Sequence, residues 1–120
     1  MGTSPLNEVA LTAGFLDDAR TEGMTEFEIE VMVQMLAADP QAGDLIQGSG
    51  GCRKLRVAGR GKGKSGGYRV VTVYAPPRMP VYVLAVLSKG SRANFSRGEV
   101  AAMAAVAKRI VAAHRKRKPI

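Results

Sequence analysis

Residues 59–71 read GRGKGKSGGYRVV, and no other stretch restricts the fold as much. Gly59, Gly61, Gly63, Gly66 and Gly67 alternate with Arg60, Lys62 and Lys64, and a β-branched run then begins at Arg69. Glycine reaches backbone angles that other residues avoid, so the segment reads as a loop that opens onto a strand. Such a loop can bring bare backbone N–H groups against an anion, while the interleaved cations attract it from further away. That is a chemistry for holding phosphate.

The flanking segments place the loop in a sheet. Before it, Cys52–Val57 alternates Cys52, Lys54 and Arg56 against Arg53, Leu55 and Val57, which reads as a strand with a cationic face. After it, residues 68–74 form a second strand, and a turn marked by Pro76, Pro77 and Pro80 leads to a third, Val81–Ser88. The expected product is an antiparallel three-stranded meander, with Val9–Leu11 as a possible fourth, edge strand from an otherwise weakly marked segment 1–12.

Helices must cover the apolar face of this small sheet. Ala13–Glu22 is helix-compatible, with Phe15, Leu16 and Ala19 on one side and Gly23 as the stop. Thr25 and Glu28 fit a capping box, with Met24 and Ile29 at staple positions, so a second helix starts at Glu26. Its inward stripe is Ile29, Met32, Val33 and Leu36, and Asp39-Pro40 ends it. Ser96 and Glu99 form a second capping box, flanked by the staple pair Phe95 and Val100. It opens a last helix with Val100, Met103, Ala104, Ala107, Ile110 and Val111 on one face and a basic tail at 115–120. The fold class is therefore α+β: one domain over residues 1–120, with a small antiparallel sheet of three to four strands against two N-terminal helices and one C-terminal helix.

Residues 58–65, AGRGKGKS, also match a loose nucleotide-binding P-loop. That loop works only when a helix starts at its Lys-Ser end and aims its N-terminal N–H groups at the phosphates. Here GGYRVVTVY follows, which has strand character, so the match is set aside.

At 120 residues the chain can bury a core without staples. One cysteine, Cys52, and one histidine, His114, leave no disulfide framework or zinc cluster and argue against Cys-His and Ser-His-Asp catalytic sets. Apolar runs such as 81–87 are far shorter than the ~20 residues of a membrane span, and no basic-then-apolar leader is visible, so a soluble cytoplasmic protein is expected. The net charge of +8 is unevenly spread. Residues 1–50 carry nine acidic side chains and one basic, Arg20, whereas residues 51–120 carry seventeen basic and one acidic, Glu99. A positive region so segregated is the electrostatic footprint of nucleic-acid binding.

Three segments in order, DPQAGDLIQGSGGCRKLRV, GRGKGKSGGYRVV and VYVLAVLSKGSRANFSRGEV, make the chain from about Phe15 to Ile110 resemble the RelE/HigB-like toxins of bacterial type II toxin–antitoxin systems. The resemblance implies a RelE-like fold and a small cytoplasmic ribonuclease that cleaves messenger RNA in the ribosomal decoding site without metal or cofactor. It also implies a cognate antitoxin, a small DNA-binding protein encoded next door. On the matching motifs, Arg69 of GGYR and Lys89 of LSKGS fall at catalytic positions, with Tyr74 as a further candidate for base stacking or proton transfer. Arg60, Lys62 and Lys64 would hold flanking phosphates, and Arg53, Lys54 and Arg56 would do so more loosely.

The residue chemistry agrees with that implication. RNA can be cut by attack of a 2′-hydroxyl on the adjacent phosphate, which needs a base, an acid and cations for the five-coordinate phosphorane. Two departures from the family pattern stand out. Lys89-Gly90-Ser91 replaces a usual Lys-Asn-Glu, and Thr72 and Val73 precede Tyr74 where consecutive tyrosines are common. Two other functions remain open on this scaffold: a ParE-like inhibitor of DNA gyrase, and a catalytically degraded RNA-binding toxin homologue.

Overall fold

The computed structural model describes residues 6–59, 67–75, 79–88 and 95–116. In chain order the elements are β1 (Val9–Leu11), α1 (Ala13–Glu22), α2 (Glu26–Ala38), β2 (Asp44–Leu45), β3 (Cys52–Val57), β4 (Tyr68–Val73), β5 (Val81–Ser88) and α3 (Arg97–Lys116). They build one five-stranded sheet in the order β1-β5-β4-β3-β2. The expected meander is β3-β4-β5, antiparallel throughout. The sheet as a whole is mixed and wider than expected, because β1 joins β5 in parallel and β2 adds an outer strand to β3. With two residues β2 has no alternation to read, and in the sequence it looks like part of a connection.

Helix boundaries follow their capping chemistry. Thr12 accepts from the Phe15 N–H (3.1 Å) to start α1 and donates its hydroxyl to the Val83 carbonyl (2.8 Å), so the cap also ties the helix to β5. Gly23, at φ 76°, ends α1 in the left-handed conformation that glycine adopts without strain. At Thr25 the expected capping box is complete: the Thr25 N–H donates to Glu28 Oε1 (2.8 Å) and the Glu28 N–H to Thr25 Oγ1 (3.1 Å). Ser96 and Glu99 repeat it at α3, at 2.8 and 3.1 Å. Each box satisfies N–H groups that a helix start otherwise leaves open.

The sheet is covered on both faces. Under α1 and α2, Phe15, Ala19, Met32 and Leu36 pack with Leu55, Val57, Tyr68, Val70, Val81, Val83 and Val86. On the opposite face Cys52, Val71 and Val73 pack with Ile46 and with Ala107 of α3. Burial from both sides explains why β4 lacks clean alternation; Arg69 is its one residue that is not buried. Between Val71 and Thr72 the pairing with β5 slips by one residue, leaving Leu84 as an extra. This bulge keeps Val83 and Val86 both on the α1/α2 side.

One inward expectation is corrected: Leu16 is 42 % exposed, because Phe15 and Ala19, one helical turn apart, already define the buried line of α1. In α3 the expected face packs on the sheet, with Ala107 fully buried and Val100, Met103 and Ile110 half-buried against its cluster. The apolar contacts of α3 fall on the part of that sheet face that carries Cys52, Val71 and Val73.

Candidate nucleic-acid interface

Strand pairing brings three cations together on the sheet face against which α3 packs. Arg56 of β3 stands directly opposite Arg69 of β4, and Lys54 stands opposite Val71. Because side chains alternate, Lys54, Arg56 and Arg69 share the face that carries Cys52, Val71 and Val73, the same face on which α3 packs. Arg56 is exposed, and Lys54 and Arg69 are half-buried. Directly opposed residues have Cβ atoms about 4.5–5.5 Å apart, and like charges so placed destabilise a sheet. Next to this row, β2 sets Asp44 opposite Lys54, and β5 sets the apolar Leu87 opposite Arg69.

The ends of the sheet's central strands converge beside the strip. Val57, Tyr68 and Ser88 form one row across β3, β4 and β5. The glycine-rich segment leaves the described chain after Gly59 and returns at Gly67, and Ser88 immediately precedes Lys89. Arg60, Lys62, Lys64 and Lys89 themselves lie outside the described residues. Gly67 is glycine for a steric reason, since a Cβ there would sit 2.4 Å from the Val57 carbonyl oxygen. The backbone of the returning chain thus lies tight against β3.

Not every candidate joins the strip. Arg53 points to the other face, where its guanidinium donates to the Gly43 carbonyl (3.0 Å) and braces the β2-β3 connection. Tyr74 follows the far end of β4 and packs, half-buried, against the α1/α2 cluster. Four residues of extended chain separate it from Arg69, a span of about 16 Å.

Behind the strip lies a polar pair that the sequence does not show. Tyr68, next to Arg69 but on the opposite face, is 4 % exposed, and Glu28 of α2 is 5 % exposed. The Tyr68 hydroxyl donates to the Glu28 carboxylate. Burial pushes the Tyr68 phenol pKa up, and the Glu28 charge and hydrogen bond push it further, so the hydroxyl stays a donor. Only the capping role of Glu28 has a local signature; its partner is forty residues away in the chain. On the strip's own face, burial likewise raises the Cys52 thiol, against a smaller lowering from the Ser49 hydroxyl.

The comparisons agree with this architecture. The family described as the RelE toxin of the RelE/RelB toxin–antitoxin system matches residues 9–118. Among solved structures, an R-to-A double mutant of the E. coli toxin RelE in the free state aligns with a TM-score of 0.55 at 19 % identity, covering 88 % of this chain and 98 % of that one. At that identity the structural likeness concerns the fold. The family match, by contrast, runs through every element from β1 to α3, and by it this chain belongs to the RelE toxin family.

Proposed function

We propose that this chain is the toxin of a type II toxin–antitoxin pair and acts as a ribosome-dependent endonuclease on messenger RNA, in the cytoplasm where ribosomes are. The observation that carries the reading is the strip of Lys54, Arg56 and Arg69 on one sheet face, with two arginines directly opposed. Three cationic side chains on one face of neighbouring strands make a surface that suits a polyanion such as RNA.

In this reading the 2′-hydroxyl of a bound nucleotide gives its proton to a base and attacks the adjacent phosphate; the P–O5′ bond then breaks, and the 5′-oxygen leaves with a proton from an acid, giving a 2′,3′-cyclic phosphate and a 5′-hydroxyl end. Arg69 grips the phosphate with its planar fork and neutralises charge as the phosphorane forms. Arg56 and Lys54 hold neighbouring phosphates in register along β3. Lys89, which follows the Ser88 end of the row, is assigned to the same charge or to proton transfer, and Arg60, Lys62 and Lys64 to flanking RNA. The placement of Tyr74 and Arg53 supports structural roles for both. An antitoxin partner follows from the family, and by its charge the strip is a surface for RNA of the message or the ribosome.

The test is a reconstituted translation reaction with message ends mapped by primer extension, run for the wild type, Arg69→Ala and Lys89→Ala. New ends within decoding-site codons that depend on ribosomes and vanish in the variants are expected. Stalled translation on intact message would instead identify a non-cleaving RNA binder. Normal translation combined with loss of gyrase supercoiling would identify a ParE-like inhibitor.

A further inference from the structure

We propose that the buried Tyr68–Glu28 contact positions the cationic strip, acting as a strut between the N-terminus of α2 and the first residue of β4; this rests on the nuclease reading above. A carboxylate as buried as Glu28 is costly unless its oxygens are hydrogen-bonded. Here the Thr25 N–H and the Tyr68 hydroxyl both donate to it. A well-packed apolar pair fills such a place with equal or greater stability. What the polar pair adds is direction, because a hydrogen bond to a charged acceptor fixes where the tyrosine ring, and with it the backbone of residue 68, must sit.

That backbone is the hub of the site. Tyr68 adjoins Gly67 on one side and Arg69 on the other, and it pairs with Val57 and Ser88. Its ring points into the α1/α2 core, away from the face that carries Arg69. Tyr68 and Glu28 therefore act through Arg69 and the strand ends and are positioning residues, not groups that meet RNA.

Two variants separate positioning from mere stability. Tyr68→Phe removes only the hydroxyl, and Glu28→Gln keeps an acceptor oxygen. Single-turnover cleavage of ribosome-bound message, measured well below the Tm of each variant, should fall about 10- to 100-fold in Tyr68→Phe with ribosome affinity unchanged, and most of the rate should survive in Glu28→Gln. Amide hydrogen exchange, which needs no activity, should quicken at Val57, Gly67 and Arg69 in Tyr68→Phe while α3 stays protected. An unchanged cleavage rate, or exchange that is unaltered or rises uniformly through all elements, overturns the proposal. If the wild type itself fails to cleave, the nuclease reading falls, and exchange alone decides whether the strut exists.

Discussion

Arg56 and Arg69 face each other across the β3-β4 ladder, two guanidinium side chains on neighbouring strands and on one face of the sheet. Removing one member should relieve repulsion while weakening any hold on RNA. Arg56→Ala is expected to leave stability unchanged or to raise it by about 0.2–1 kcal/mol in urea denaturation. RNA affinity of the same variant should fall, and the slope of log affinity against log salt should flatten by about one. A variant that loses stability and keeps its salt slope would show that Arg56 serves the fold.

For Arg69 the expected loss is in the chemical step. Arg69→Ala should cut the single-turnover rate by about 10²–10³, the usual cost of removing one donor to a developing oxyanion. Arg69→Lys should recover only part of it, because an ammonium cannot reproduce a bidentate grip. Full recovery by lysine would mean that charge alone matters there.

Gly67→Ala should be among the most damaging small substitutions in the molecule. The added Cβ meets backbone, the Val57 carbonyl, which has no side-chain freedom with which to yield. A loss of roughly 2 kcal/mol or more is expected by denaturant titration, with β3 and β4 pushed apart at their shared end. Little change would mean that the strand ends separate easily.

Thr72 offers the opposite outcome. Its side-chain oxygen is buried with no hydrogen-bond partner among the described residues. Thr72→Val replaces the hydroxyl with a methyl group of similar size and should raise stability by about 1 kcal/mol. A destabilised valine variant would reveal a partner for the hydroxyl.

Alkaline pH should unfold the protein in a way that two buried groups explain. The Tyr68 phenol and the Cys52 thiol both have pKa values raised above their ordinary ones, chiefly by burial. Each stays protonated in the folded state at a pH where the unfolded chain has begun to lose the proton, so the unfolded state binds fewer protons and stability falls as pH rises. The contribution is complete below about pH 8 and should be lost progressively from about pH 9 upward. Stability measured against pH in Tyr68→Phe and Cys52→Ala should decline less steeply than in the wild type.

Much of the fold is legible in the sequence because its signals are local. The capping boxes at Thr25 and Ser96 each lie within four residues and appear in the structure as read. The alternation of β3 correctly separates Lys54 and Arg56 from Arg53. Legibility ends where a contact spans the chain. The pairing of Val9 with Val81 has no local sign, nor does the two-residue strand β2. Glu28 shows its cap but not its tyrosine, since one side chain serves both and only the first partner is near in sequence. That Arg53 lies on the opposite face from Lys54 and Arg56 is readable from alternation, but its bond to the Gly43 carbonyl is not, because charge type is visible in a sequence and a carbonyl on the other face is not.

The parallel docking of β1 on β5 also fixes the order in which the molecule can assemble. Thr12 hydrogen-bonds Val83, 71 residues further along, and Asp18 of α1 accepts from the Val86 N–H at 3.2 Å. A chain growing from its N-terminus therefore presents the β3-β4 hairpin, with its opposed arginines, before it has made the strand against which α1 is anchored. Local pairing of that kind forms readily, whereas the long closure that joins β1 and α1 to β5 waits for residues 81–86. During synthesis the cationic strip is thus held in a finished frame only after about three-quarters of the polypeptide exists.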